Sequence, residues 1–129
     1  MSFEPLLLAF DLDGTLVPRE QPIPDRILEA IRRVEDAGHF VTVITGRTQA
    51  SAQPFLDALR VRHAFGTTQG ARVSTPDGRV LFEAHLTPSE TRGLIAATTS
   101  LTYEFFVATG AGERFYVIDP ERLTASGRP

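Results

Sequence analysis

Five apolar residues run unbroken from Leu6 to Phe10 and stop at two carboxylates, Asp11 and Asp13, set two positions apart. Continuous rather than alternating apolarity predicts a strand covered on both faces, as in a parallel sheet, with Asp11 at its carboxyl end. From Pro24 to Ala37 the apolar positions Ile27, Leu28, Ile31 and Val34 recur at helical spacing. Asp25 and Glu29 stand early, Arg32 and Arg33 late, and Gly38 just past the end, which predicts a helix with one buried face. Phe40 to Ile44 reads as a second strand, ending in Thr45-Gly46-Arg47. A turn and short helix follow, with Pro54 near the helix start and Phe55, Leu56 and Leu59 packing inward. Ala64 to Thr68 reads as a third strand.

Strand, helix, strand, helix, strand over this stretch predicts an α/β fold with right-handed crossovers and a doubly wound, Rossmann-like parallel sheet. In such sheets ligands sit beyond the carboxyl ends of the strands, where Asp11, Asp13, Thr45 and Arg47 all fall. After Gly70 the pattern changes. Arg72 to Thr75 and Arg79 to Leu86 flank Pro76-Asp77-Gly78, a turn signal that predicts a β-hairpin. Thr87-Pro88-Ser89-Glu90 is a capping box with proline at the first helical position, opening a helix to about Ser100. Tyr103 to Ala108 and Arg114 to Ile118 read as another strand pair, with Asp119 to Pro129 frayed beyond it. The change of pattern places a boundary near Gly70, between a parallel core (residues 1–70) and a β-rich second unit (residues 71–129).

Composition narrows the function classes. A chain of 129 residues, 42% hydrophobic and 22% charged, is the size of one ordinary domain and is expected to fold as a soluble unit. The longest apolar run is far too short to span a bilayer, and Met1-Ser2-Phe3-Glu4 lacks a basic n-region, so a cytoplasmic protein with no membrane partner is expected. Without cysteine there is no disulfide framework and no thiolate metal site. A net charge of −3 with scattered arginines offers no basic stripe for a phosphate backbone, so nucleic acid is not expected as a partner. All 13 basic residues are arginine, which reads as compositional bias.

Two carboxylates on a loop just after a strand repel each other unless a cation neutralises them. Oxygen donors of this kind suit Mg²⁺, which keeps several waters and takes the rest of its shell from one or two carboxylates and a phosphate. Asp11 and Asp13 are therefore the candidate metal ligands. Gly14 permits a tight turn and Thr15 can bond locally to steady it. Asp-Gly alone marks only a turn, and a lone Asp-x-Asp only a solvated loop. A calcium loop fails: counted from Asp11, the glycine position is Leu16, the closing glutamate position is Pro22, and a strand precedes where a helix should. Arg47 adds an independent argument. A cation near the start of a helix opposes the macrodipole, so its presence there asks for an anion, either a substrate phosphate or Asp13; an arginine snorkelling into solvent is the competing explanation. His39, His63 and His85 lie at element ends without ligand spacing and read as structural. Tyr103, Phe105, Phe106, Phe115 and Tyr116 alternate along strands and read as sheet core.

The segment Asp11-Leu12-Asp13-Gly14-Thr15-Leu16 after an apolar strand resembles the first motif of the haloacid dehalogenase (HAD) superfamily of phosphohydrolases, and Thr45-Gly46-Arg47 is similar to its second. Thr67-Thr68-Gln69-Gly70-Ala71 followed by a hairpin resembles the passage into the cap of the Cof-like subclass, whose members dephosphorylate sugar phosphates and related small phosphomonoesters. That passage usually reads Asn-Gly-Ala, and Gln69 departs from it. The resemblance implies a HAD-like core with a partial α+β cap, Mg²⁺ as cofactor and a small phosphorylated metabolite as substrate. It makes Asp11 the nucleophile that forms an aspartyl-phosphate, and Asp13 the acid and base. Asp11, with the backbone carbonyl of Asp13, would hold the metal. The Thr45 hydroxyl and the Gly46 amide would hold the phosphoryl oxygens, with Arg47 beside them.

The family's third motif, a lysine, and its fourth, an acidic cluster, are not visible; the chain has no lysine, and Asp119-Pro120-Glu121 is a poor substitute. Relatives of this subclass run to about twice this length, so the chain is expected to be the amino-terminal half of such a protein, and its activity in isolation is an open question. In the full family sheet the first strand is central. Here its edge would carry unpaired amides, which predicts self-association. Within the same chemistry a phosphomutase is the alternative; from another class, a non-catalytic Mg²⁺- or phosphate-binding module. A response-regulator receiver is discounted, because its acceptor aspartate should follow the third strand, where this chain has Thr67-Thr68-Gln69.

Overall fold

The first strand, β1 (Leu7–Phe10), runs parallel to β2 (Phe40–Val43) with Leu7 opposite Phe40 and Phe10 opposite Val43. The computed structural model describes residues 4–18, 21–98, 106–109 and 114–117. Helix α1 (Asp25–Asp36) makes the crossover between the two strands, as its apolar spacing predicts: Ile31 is buried, and Ile27, Leu28 and Val34 pack against the core. It ends where Gly38 takes φ 89°, a left-handed conformation open to glycine at no steric cost, and the Gly38 amide bonds the Glu35 carbonyl at 2.8 Å.

Helix α2 (Gln49–Leu59) starts earlier than Pro54 suggests. Thr48 is its N-cap, accepting from the Ser51 amide at 3.4 Å, and Pro54 sits inside the helix. Proline marks helix starts because its missing N–H is dispensable there, but the cap that Thr48 supplies fixes this start instead. Ala52, Leu56 and Leu59 are the buried face.

Strand β3 (Phe65–Thr67) meets β2 through a parallel bridge, Ile44 to Gly66, reinforced by the Thr45 amide on the Gly66 carbonyl at 3.0 Å. A single 3-10 turn, Thr68–Gly70, then reverses the chain into β4 (Arg72–Ser74) and β5 (Val80–Glu83), which with β3 form a three-stranded antiparallel sheet in sequence order. The sheet therefore continues across position 70. Pro76-Asp77-Gly78 forms the expected hairpin turn, closed by the Gly78 amide on the Thr75 carbonyl at 2.9 Å with Gly78 at φ 87°.

The core joins these elements. Leu12, Leu16, Val17 and Ile23 from the segment after β1 pack with Val43, Leu56 and Phe65. One expectation is corrected: β1 is not covered on both faces. Leu7 is 66% exposed and Leu8 and Phe10 are only half-buried, because among the described residues β1 pairs with β2 alone. An apolar run records what a strand can bury, not whether the neighbours that would cover it are there.

The chain divides into two compact units, Met1–Ala84 and His85–Pro129. In the second, the capping box forms as written: Glu90 accepts from the Thr87 amide at 2.7 Å and the Thr87 hydroxyl accepts from the Glu90 amide at 3.2 Å, opening α3 (Pro88–Thr98). Strands β6 (Phe106–Thr109) and β7 (Arg114–Val117) pair antiparallel and carry Phe106, Phe115 and Tyr116. Tyr103, Phe105 and the Asp119-Pro120-Glu121 segment lie outside the described residues. No helix among the described residues is long and apolar enough to cross a membrane.

Candidate functional site

Parallel pairing of β1 and β2 brings two loops to the same end of the sheet, and each is folded tightly by its own residues. In the first, Leu12 is fully buried while Asp11 and Asp13 on either side of it are exposed. The backbone amides of Thr15, Leu16 and Val17 converge on the Leu12 carbonyl at 3.2, 3.0 and 2.7 Å, and Gly14 takes φ 80° at the turn. The apolar side chain thus pins the loop from beneath and leaves both carboxylates facing outward.

In the second loop Thr45 is buried, with 2% of its surface exposed, and its hydroxyl accepts from the Arg47 amide at 3.2 Å. A hydroxyl that accepts one such bond still has its own proton to donate. Arg47 turns back across the sheet end and grips Asp13 with two parallel bonds, Nε to Oδ2 at 2.8 Å and Nη2 to Oδ1 at 2.6 Å. Its guanidinium lies 4.5 Å from the centre of the Phe55 ring and also donates to the Ser51 carbonyl at 3.4 Å. Of the two anions expected for Arg47, the structure shows Asp13.

The electrostatic consequence falls on Asp13. Hydrogen bonds from Arg47, aided by its charge, hold the Asp13 carboxyl below its ordinary value of 3.8 against a smaller opposing effect of burial. Arg47 is held charged by the same contact.

A third segment joins from β3. The Thr68 amide bonds the Arg47 carbonyl at 2.7 Å and the Gln69 amide bonds the Thr45 carbonyl at 3.1 Å, so the turn after β3 is fastened to the loop after β2. The Gln69 side chain lies against Gly46: a Cβ added to Gly46 would come within 2.9 Å of the Gln69 Cδ.

Asp13, Thr45, Gly46 and Arg47 are therefore one connected group, and Asp11 stands at the end of β1 beside them, its strand tied to the second loop by the Ile44 amide on the Phe10 carbonyl at 2.9 Å. Phe55 and Gln69 were not among the candidates from sequence. Phe55 reads as a core position because its helical spacing says so, and it does pack on the core. Its second contact, with Arg47, has no local signature: Arg47 stands just before the cap of α2 and Phe55 in the middle of the helix, eight positions on, so only the folded loop brings them together. Two of the three histidines tie elements together: His39 Nδ1 accepts from the Leu6 amide at 3.2 Å, and His63 packs edge-on against Phe40 with ring centres 5.0 Å apart.

Oxygen donors are what this end of the sheet offers a cation. Among the described residues no group of three or more His, Cys, Asp or Glu could hold a metal ion. The Asp11 and Asp13 carboxylates are hard oxygen donors, the kind that suits Mg²⁺.

A sequence profile of the haloacid dehalogenase-like hydrolases matches residues 8–127. A 5-amino-6-(5-phospho-D-ribitylamino)uracil phosphatase of Bacillus subtilis (strain 168) is 34% identical over 76 residues, 59% of this chain and 28% of its own. An HMP-PP phosphatase of Enterobacter sp. (strain 638) is 33% identical over 82 residues, 64% of this chain and 30% of its own. Among solved structures, a HAD superfamily phosphatase of Bacteroides thetaiotaomicron superposes with a TM-score of 0.76 at 21% identity, over 97% of this chain and 47% of that one. The chain thus spans about half the length of that solved protein and matches under a third of the two curated relatives.

Proposed function

The chain belongs to the haloacid dehalogenase-like hydrolase family, and from that membership we propose that it carries the nucleophile-bearing half of a Mg²⁺-dependent phosphomonoester hydrolase acting on a small phosphorylated metabolite. The observation that carries this reading is the two-pronged Arg47–Asp13 pair, which joins the two motif loops across the end of the parallel sheet. A carboxylate after β1, a buried hydroxyl and a glycine amide after β2, and a guanidinium between them form a set that can hold and attack a phosphoryl group.

Asp11 is the nucleophile: one of its oxygens attacks phosphorus in line, and the bond from phosphorus to the leaving alcohol breaks. Asp13 gives its proton to the departing oxygen. Asp13 then takes a proton from the water that attacks the aspartyl-phosphate, releasing inorganic phosphate and restoring Asp11. The Thr45 hydroxyl and Gly46 amide donate to the phosphoryl oxygens. The Asp11 carboxylate and the Asp13 main-chain carbonyl are the groups that would hold Mg²⁺, whose charge offsets that of the phosphoryl oxygens when it is bound.

Arg47 has a part in this cycle beyond holding the loops. While it grips Asp13 it favours the carboxylate, the wrong form for an acid. A phosphoryl dianion beside the guanidinium competes for the same donors and frees Asp13 to carry a proton, so substrate binding itself readies the acid.

Residues 1–70 form the core lobe in this proposal, and the chain after Gly70 leads into a cap. Two other readings share the site: a phosphomutase, which returns the phosphoryl group to an acceptor hydroxyl, and a module that binds Mg²⁺ or phosphate without turnover. The deciding experiment is Mg²⁺-dependent hydrolysis of p-nitrophenyl phosphate by this chain and by a version extended to the length of its relatives, each with and without Asp11→Asn. Hydrolysis that needs Mg²⁺ and is lost in Asp11→Asn supports the phosphatase. Transfer to an added sugar-phosphate acceptor in place of hydrolysis supports the mutase, and phosphate binding without turnover the module.

A further inference from the structure

The turn after β3 is unusual in its backbone. Thr68 and Gln69 take φ 53° and 57°, followed by Gly70 at φ 84°. Two side-chain-bearing residues in succession in the left-handed region cost stability, and where such residues do occur, asparagine and aspartate are the favoured types. Glutamine gains no such local relief. Strain of this kind persists where the surroundings impose it, and here they do: the Thr68 and Gln69 amides are bonded to the Arg47 and Thr45 carbonyls, at 2.7 and 3.1 Å.

The Gln69 side chain goes to a definite place. It is exposed, so it fills no core, and its carboxamide occupies the space where a side chain on Gly46 would be, with Nε2 its nearest atom. Gly46 is not among the glycines with positive φ, so its backbone does not demand glycine. What position 46 requires is room, and the group that uses the room is a neutral amide donor lying on the loop that also presents the Thr45 hydroxyl and the Arg47 guanidinium.

We propose that Gln69 is a substrate-binding residue: its carboxamide lies over the Thr45–Gly46–Arg47 loop and donates a hydrogen bond to the phosphoryl group held there. The inference rests on the phosphoryl-site reading above and adds a donor to it. A carboxamide suits the position because it stays uncharged at every pH and so does not compete with Arg47 for Asp13.

The test is an NMR titration of the isotopically labelled chain with inorganic phosphate in the presence of Mg²⁺, following the Gly46 backbone amide and the Gln69 side-chain NH₂ pair. Both are expected to shift on one binding curve. Gln69→Ala weakens phosphate about tenfold, in keeping with loss of one hydrogen bond to a charged group, and Gln69→Glu weakens it further by repulsion. Gly46→Ala pushes the carboxamide aside and gives a similar loss, and the double variant is no worse than either single one, because both remove the same contact. A well-dispersed spectrum shows that each variant is folded. If phosphate shifts Gly46 while the Gln69 NH₂ pair and the affinity of Gln69→Ala stay unchanged, the Gln69 assignment is overturned and the Thr45–Arg47 site stands. If phosphate shifts neither, and Thr45→Ala and Asp11→Asn make no difference, the phosphoryl site itself falls, and the Gln69 assignment with it.

Discussion

Leu12 shows how an apolar residue can organise a polar site. It is fully buried between two exposed carboxylates, and three amides close on its carbonyl. Leu12→Ala leaves a cavity beneath the loop and is expected to cost about 2–5 kcal/mol by denaturant unfolding. At Arg47 the effect is electrostatic and smaller. Asp13 keeps 57% of its side chain exposed, so solvent screens the pair and Arg47→Ala should cost only about 1 kcal/mol or less. Its clearer signature is in titration. Because Asp13 is lowered in the folded state, the pair's stabilisation is fully present above the ordinary carboxyl value of 3.8 and is lost as pH falls through the lower folded value. In Arg47→Ala the Asp13 carboxyl, followed by ¹³C NMR, should titrate higher than in the parent, and that acid-side loss of stability should disappear.

Element by element, most of the fold could be read from the chain because the local signals agree with the tertiary result. The i, i+4, i+7 spacing of Ile27, Ile31 and Val34 marks α1, and Thr87 with Glu90 marks the start of α3. The candidate site residues Asp11, Asp13, Thr45, Gly46 and Arg47 are legible as candidates because motif residues at strand ends carry a local signature. Gln69 was visible only as a departure from a pattern, since its role depends on a contact with Gly46 across 23 positions of sequence. Pro54 sits inside α2 rather than at its start for a related reason: a proline reports that an N–H is missing, not where the helix cap lies. Two stability measurements follow for α2. Thr48→Ala removes the cap and should cost about 1 kcal/mol. Pro54→Ala should raise the melting temperature, because the alanine supplies an amide and relieves the ring's clash with the preceding turn, gains that outweigh the entropy proline removes from the unfolded chain.

At the scale of the whole chain, the open question is what covers β1. Among the described residues it pairs on one side only, with Leu6 59% and Leu7 66% exposed beside it, and the chain spans about half of the solved family member it superposes on. A strand edge with free amides and exposed leucines is a template for another strand. Strand β5 offers a second such edge, carrying Val80, Leu81 and Phe82, each exposed. The two edges can be told apart by charge. Lysine at an edge disfavours pairing there while leaving the covered face alone, so Leu7→Lys tests the first edge and Leu81→Lys the second. In sedimentation equilibrium at high micromolar concentration the parent chain should associate. Leu7→Lys should return it to monomer if β1 is the docking edge, because its partner strand would have to bury an ammonium against apolar side chains. A parent chain that sediments as a monomer throughout would mean that twist and the short four-residue length of β1 protect the edge without a partner.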